Sequence, residues 1–196
     1  MKIILASKSG VRKKILNDFK IDCQVIASQV DEDEVKKSLL AEGADPLIIS
    51  KNLAEIKSIK VSSKNPDRLV IGADSVISLQ NQLINKPRSR DEALSILKKL
   101  NNSVHYLITS VCISKNGAMI WNHSDSSELK MKNQTEEQLK DYLGKIDTNT
   151  LLAYGVYQIE AEGMNLFEYI KGDHNSIMGL PIKSIINYIK QFKNND

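Results

Sequence analysis

The chain has only two cysteines, few aromatic residues and no long apolar run. Cys23 and Cys112 lie far apart and form no CxxC pair, so both are predicted to be free thiols in a reducing compartment. No segment is apolar enough to cross a bilayer. The apolar run Ile3 to Ala6 is too short for the core of a signal peptide. We therefore expect a cytoplasmic protein that does not bind membranes.

Several common motifs of nucleotide binding, metal binding and catalysis are also absent. The sequence contains neither GxxxxGK[ST] nor GxGxxG, which excludes a P-loop and a Rossmann fingerprint. Its three histidines have no metal-ligand spacing, and no Ser-His-Asp or Cys-His arrangement suggests covalent catalysis. The net charge is only +3 and aromatic residues make up 5% of the chain, so a nucleic-acid-binding domain is disfavoured. We predict no nucleic-acid partner.

The order of apolar patterns predicts an α/β fold. With 196 residues and no internal repeat or linker, the chain is long enough for a single domain over residues 1–196. Strands and helices alternate at both ends, and hairpins lie between them. This order favours a mixed sheet flanked by helices over a purely parallel sheet.

Local signals place several element boundaries. Ser9 is predicted to cap a helix that turns Val11, Ile15, Leu16 and Phe19 inward. Asp45-Pro46 and the capping box at Thr135 predict two further helix starts, and "KNG" predicts a hairpin. Gly72-Ala73-Asp74 is predicted to interrupt a strand, and a strand is predicted to begin at "AYGVYQI".

The stretch "SKSGVR" combines hydroxyls, a helix start and a basic side chain. Ser7 and Ser9, the backbone N–H groups of the turn and the positive end of the helix dipole together suit an anion. Arg12 lies one turn into the helix, where its guanidinium can hold phosphate oxygens bidentately. An ordinary helix cap with solvated basic residues explains the same pattern equally well.

Several carboxylates are candidates for binding a metal ion or orienting a water molecule. Asp74 follows a buried apolar run, where it could bind Mg²⁺ or orient a water, or bond its own backbone in a turn. The run "VDEDEV" supplies Asp31, Glu32, Asp33 and Glu34. One or two of them could join Asp74 on a metal, although most are expected to form a solvated face.

Two lysines stand in positions that suit phosphate binding. Pro87 restricts the backbone of Lys86 to extended conformations and so holds this lysine in a fixed place. Lys57 shares a helical face with Leu53, although snorkelling of a lysine stem explains that pattern too. Together with Arg12, these cations suggest a site for a polyphosphate.

The order of these motifs resembles the Maf family, the septum-formation-inhibitor-like nucleoside triphosphate pyrophosphatases. The resemblance covers the chain from about Lys2 to the C-terminal helix. It is carried by "LASKSGVRKKIL", "VDE", "LAEIKS", "IGADSVI", "INKPRSRDEALSILKKL", "HYLITSV" and "VYQIEAEGMNLFEYIKGDHNSIMGLPI". No one motif is decisive, but seven in the same order are highly specific.

The resemblance implies a twisted sheet with two lobes around a deep cleft, similar to the inosine triphosphate pyrophosphatases. It implies hydrolysis of a nucleoside triphosphate to the monophosphate and pyrophosphate, with Mg²⁺ or Mn²⁺ as the cofactor, in the service of nucleotide-pool house-cleaning. A homodimer is also implied.

The resemblance further assigns roles to individual residues. Asp74 matches the catalytic proton acceptor and, with Glu32, the metal ligands. The matches to the phosphate-binding residues are Ser9, Arg12, Lys57 and Lys86.

Three positions are implied to separate the substrate classes of the family: Val11, Ser75 and Glu160. A glutamate at the last position favours a 7-methyl-GTP-like substrate, because its carboxylate can accept hydrogen bonds from a guanine-type base. A glutamine there favours dTTP and UTP, and a shift of two residues would place Gln158 in this position. Gly10-Val11 stands where the family usually has proline and a larger residue, so no aromatic is available there to stack on a methylated purine.

One alternative of a different class is a non-catalytic nucleotide-binding regulator of cell division or septum formation. The joint presence of Asp74, Lys86 and Arg12 favours the enzyme over this alternative.

Overall fold

The computed structural model describes residues 3–159 and 162–195. Within these ranges the chain forms seven β-strands and eight α-helices. The strands are β1 Ile3–Leu5, β2 Cys23–Val25, β3 Leu69–Leu79, β4 Gln82–Ile84, β5 Val104–Lys115, β6 Ala118–Met131 and β7 Phe167–Lys171. The helices are α1 Gly10–Asp18, α2 Glu32–Ala41, α3 Pro46–Ser62, α4 Arg90–Leu100, α5 Glu136–Gly144, α6 Thr148–Tyr154, α7 His174–Ile177 and α8 Ile182–Asn195.

The strands form one mixed sheet in the order β2-β1-β3-β5-β6-β7, and β4 pairs with the end of β3. Strand β1 runs parallel to β2 and β3, whereas the other pairings are antiparallel. Because strand side chains alternate between faces, odd-numbered residues at the start of β3 pack with α1 and α8, and even-numbered residues pack with α3. The predicted mixed α/β sheet flanked by helices is confirmed.

The apolar core has two main parts, at opposite ends of the three long strands. At the end where β3 begins, Leu69 and Ile71 pack with α1 and α8. At the other end, Leu129 and Met131 of β6 pack with α4, α5 and α6. The protein therefore has two lobes, and β3, β5 and β6 pass through both.

Polar residues cross the sheet where the two lobes meet. Asp74 pairs with Ser110, and Ser110 pairs with Ser124 on the next strand. The adjacent row contains Ser75, Thr109 and Asp125, with hydrogen bonds between Ser75 and Thr109 and between Ser110 and Ser124. These two rows of polar side chains separate the two apolar cores.

Strand β3 is not interrupted at Gly72-Ala73-Asp74, so that prediction is wrong. The strand continues to Leu79, and the turn lies at Gln80 and Asn81, which both have positive φ angles. Gly72 serves packing instead. A Cβ at Gly72 would lie 2.2 Å from the backbone oxygen of Ala54 and 2.7 Å from the backbone nitrogen of Ser58. Only glycine lets α3 lie this close to β3.

Two other predictions are also corrected. The stretch expected to begin as a strand at Ala153 is the end of α6 followed by irregular chain through Ile159. Helix α6 forms because the Asp147 side chain accepts a hydrogen bond from the Thr150 N–H at 3.0 Å. Phe19 is exposed rather than inward, because it follows the last turn of α1 as its C-cap.

In the part of the chain that the structure describes, no helix is both long and apolar enough to cross a membrane.

Candidate active site

A cleft of about 500 Å³ lies between the two lobes. Its walls come from the β1–α1 turn, the start of α2, the middle of β3, the chain after β4 and the segments that follow α6 and α7. Eight sequence-predicted residues line it: Ser9, Val11, Arg12, Glu32, Lys57, Asp74, Ser75 and Lys86. The ninth, Glu160, lies outside the described residues.

The β1–α1 turn is a helix cap built from two serines. The Ser9 hydroxyl accepts a hydrogen bond from the Arg12 backbone N–H at 3.3 Å, which confirms Ser9 as the N-cap of α1. The Ser7 hydroxyl accepts from the Ser9 N–H at 3.2 Å. The start of α1 faces the cleft, so its remaining backbone N–H groups present a partial positive charge there.

The Arg12 side chain points into the protein and forms hydrogen bonds with three separate parts of the chain. Its Nε donates to the Gly179 carbonyl at 2.8 Å, and its Nη1 donates to the Ala73 carbonyl at 3.0 Å and to Ser7 Oγ at 3.3 Å. Its Nη2 donates to Ser75 Oγ at 3.2 Å. Burial lowers the pKa of the guanidinium, and the charges of Asp74 and Glu32 oppose that shift. Arg12 thus fixes the cleft floor and has one of five N–H groups left for a ligand.

Lys57 joins two carboxylates at the centre of the cleft. Its Nζ lies 2.7 Å from Asp74 Oδ1 and 2.7 Å from Glu32 Oε1. Lys57 and Asp74 are each only 5% exposed. The second carboxylate oxygen of Asp74, Oδ2, is buried and has no hydrogen-bond partner among the described residues. Burial alone would raise the pKa of Glu32, but the nearby lysines, Lys57 above all, outweigh it and hold that pKa below its usual value.

Lys86 approaches from the opposite wall. Its Nζ donates to the Ala153 carbonyl at the end of α6 over 2.8 Å. Limited access to water within the cleft lowers the pKa of this ammonium, and the charges of Glu32 and Asp74 oppose the shift. Pro87, which follows it, is buried and anchors the chain next to Lys86.

Several residues that line or support the cleft were missed by sequence reasoning. Thr109 holds the Ser75 hydroxyl at 2.9 Å, and Gly179 provides the carbonyl that binds Arg12. Tyr154 lines the cleft with 49% of its surface exposed. The sequence did contain a signal for α7, because Asp173 is a typical helix cap. Its side chain accepts hydrogen bonds from the Asn175 and Ser176 N–H groups. Thr109 and Tyr154 carry no local signal, because only the sheet register places Thr109 next to Ser75 and only the position of α6 brings Tyr154 to the cleft.

His105 is fully buried and should make the protein sensitive to acid. Its Nε2 lies 2.9 Å from the hydroxyl of Tyr157, a residue of the cleft wall. Burial lowers the pKa of His105 from 6.5 to about 4. The unfolded chain therefore binds a proton at a higher pH than the folded protein, so stability falls as the pH is lowered. We expect a loss of about 2 kcal/mol between pH 7 and pH 5 from this group.

Urea unfolding at both pH values measures this loss. His105→Gln, which cannot titrate, should unfold with a smaller pH-dependent loss, even if it is less stable at pH 7. His174→Gln, at an exposed histidine, is the matched control and should keep the wild-type loss. An identical loss in His105→Gln and wild type would show that His105 does not cause it.

The fold and the site define an α/β protein with a cleft in which two carboxylates lie beside two lysines and an arginine, and these cations are a suitable lining for a polyphosphate ligand. The chain belongs to the Maf family, because the family model described as "Maf-like protein" matches residues 2–192.

Similar proteins include a "Nucleoside triphosphate pyrophosphatase" of Pelagibacter ubique, which is 57% identical over 97% of this chain and 98% of that protein. A "7-methyl-GTP pyrophosphatase" of Brucella abortus is 33% identical over 98% of this chain and 97% of its own length. Among solved structures, the Staphylococcus aureus Ham1 protein matches with a TM-score of 0.40 and 18% identity, over 67% of this chain and 72% of that chain.

Proposed function

We propose that this protein hydrolyses a nucleoside triphosphate to the monophosphate and pyrophosphate. The observation that carries the proposal is the buried Asp74, whose carboxylate lies in the same cleft as Arg12, Lys57 and Lys86. An acid at the floor of a basic cleft can act on a water molecule next to a bound polyphosphate. The names of the relatives from Pelagibacter and Brucella support the same activity.

The described residues suggest how the triphosphate is held. Lys86 is exposed to the cleft, and the helix start at Ser9 offers backbone N–H groups to phosphate oxygens. Arg12 contributes its remaining N–H group, and Lys57 its third ammonium proton, because two of its protons already point at carboxylates. Lys57 therefore contacts the two carboxylates as well as the ligand. Arg12 likewise holds the floor of the cleft as well as the ligand.

In the proposed reaction, Asp74 takes a proton from a water molecule. The water oxygen forms a bond to the α-phosphorus, and the bond from that phosphorus to the oxygen bridging to the β-phosphate breaks. Pyrophosphate leaves with the bridging oxygen, and the nucleoside monophosphate remains. Asp74 then returns its proton to solvent or to the leaving group.

The site also fits a divalent metal ion held by Glu32 and, when Asp74 is not acting as the base, by Asp74. The unpartnered Oδ2 of Asp74 is a free carboxylate oxygen of the kind that Mg²⁺ prefers. Among the described residues, no group of three or more His, Cys, Asp or Glu could hold a metal. Two protein carboxylates match Mg²⁺, which usually keeps several waters and binds phosphate oxygens as well. When bound, the ion would neutralise charge on the phosphates.

We also propose that the substrate is a modified or non-standard nucleotide, with 7-methyl-GTP favoured over dTTP and UTP. The glutamate at position 160 and the name of the Brucella relative support this preference. Tyr154 adds an aromatic surface on which a base could stack, although Val11 provides none. Gln158 also lines the cleft, so both side chains considered for base recognition remain candidates.

Incubation of the purified protein with a nucleotide panel tests the proposal. The panel contains 7-methyl-GTP, dTTP, UTP and the common nucleotides, each with Mg²⁺, with Mn²⁺ or with a chelator, and the products are separated by ion-exchange chromatography. We expect monophosphate and pyrophosphate in equal amounts, only with metal, and fastest from 7-methyl-GTP. Release of orthophosphate alone would contradict the proposed reaction. Nucleotide binding without turnover would support the non-catalytic regulator instead.

A further inference from the structure

The position of Lys57 indicates a role beyond phosphate binding. Its ammonium lies 2.7 Å from both Glu32 and Asp74, which is hydrogen-bond distance to two carboxylates at once. Lys57 extends from α3, and its side chain is almost completely buried. A single positive charge is thus placed between the two acids that are the metal ligands of the proposed function.

Charge balance explains why the lysine is needed there. Two carboxylates this close to one another repel, and desolvation makes that repulsion stronger. One ammonium neutralises only half of their combined charge, so a net negative charge remains on the group. The Oδ2 atom of Asp74 is still without a partner, although the side chain is 93% buried and lines the cleft. Lys57 therefore compensates the charge of this site only in part.

We propose that Lys57 is an internal counter-ion, which competes with a divalent cation for Glu32 and Asp74. This inference rests on the metal dependence of the proposed function. Without nucleotide, a divalent cation must displace the ammonium or share the carboxylates with it, so it binds weakly. A triphosphate offers the third proton of the ammonium another anion, which weakens the hold of Lys57 on the two carboxylates. Metal and nucleotide then favour each other's binding, as any coupling between two sites must be reciprocal.

Equilibrium binding of Mn²⁺ to the nucleotide-free protein tests this inference. Free Mn²⁺ is measured by electron paramagnetic resonance at pH 8, where unpaired carboxylates are ionised. Lys57→Met removes the competing charge and keeps an unbranched stem. We expect it to bind Mn²⁺ at least about tenfold more tightly than wild type, because a unit charge at this distance is strongly felt in a buried site.

Two further variants separate this effect from a general change in charge. Lys51→Met removes an exposed lysine from the same helix and should bind Mn²⁺ as wild type does. Glu32→Gln combined with Lys57→Met removes a carboxylate and should abolish the gain. If Lys57→Met does not fold, Lys57→Gln gives the same comparison, since its amide can still donate to Asp74.

Equal Mn²⁺ affinity in wild type and a folded Lys57→Met or Lys57→Gln variant would overturn the inference. So would an equal gain in Lys51→Met. These results would leave the proposed hydrolysis untouched, because no nucleotide is present in the experiment. Failure of the product assay would instead overturn the proposed function, whatever the Mn²⁺ titrations give.

Discussion

Asp74→Asn is expected to lower the turnover number for the preferred nucleoside triphosphate by about 10²–10⁴-fold, which is the usual contribution of a general base. The amide has the size of the carboxylate but cannot take a proton from water. Lys57 keeps Glu32 as an ionic partner, so no buried ammonium is left alone and the fold should survive. Pyrophosphate release at saturating substrate measures the rate, and urea unfolding verifies the fold.

The matched control is Asp91→Asn, at an exposed carboxylate in the first turn of α4, which should keep the wild-type rate. The two kinetic constants also separate the possible roles of Asp74. Loss of a base lowers kcat without raising KM, whereas loss of a group that only binds substrate raises KM. A variant that retains more than about a tenth of wild-type turnover would exclude Asp74 as the base.

Gly72→Ala is expected to cost at least about 3 kcal/mol of the free energy of unfolding, the upper end for an overpacked core. The new methyl group would meet backbone atoms of Ala54 and Ser58 rather than side chains that could rotate away. Helix α3 must therefore move away from β3. Because α3 carries Lys57 and β3 carries Asp74, the same shift should reduce turnover.

Urea unfolding measures the loss, and Gly10→Ala is the control. A Cβ at Gly10 has no atom within 4 Å, so alanine there should leave stability nearly unchanged. If Gly72→Ala is as stable as Gly10→Ala, the contact between α3 and β3 is looser than the structure indicates.

Local sequence signals predicted helix starts well, because a cap is a contact between residues three apart. The caps at Ser9, Asp45 and Thr135 are all confirmed. The break at Gly72-Ala73-Asp74 was wrong for the opposite reason. Small and acidic residues weaken a strand locally, but here pairing with β5 from Val70 to Ser78 outweighs that preference. The need for glycine arises from a helix that is distant in the sequence.

The types of residue in the site could be predicted, but their arrangement could not. The hydrogen bonds of Arg12 reach Ala73 and Gly179, 61 and 167 residues further along the chain. Periodicity and spacing carry no information about such contacts. Membership of the Maf family, inferred from seven ordered motifs, is confirmed. The roles of the individual residues remain predictions until the variants are measured.

The three strands that pass through both lobes limit how this protein can move. A hinge between the lobes would have to bend β3, β5 and β6 together and break their ladder of hydrogen bonds. We therefore expect the floor of the cleft to be rigid and to accept only ligands of a fixed length. Helix α2, which carries Glu32, has no fully buried side chain and is held more weakly. Entry of substrate and exit of pyrophosphate would then depend on a displacement of this one wall, rather than on closure of two domains.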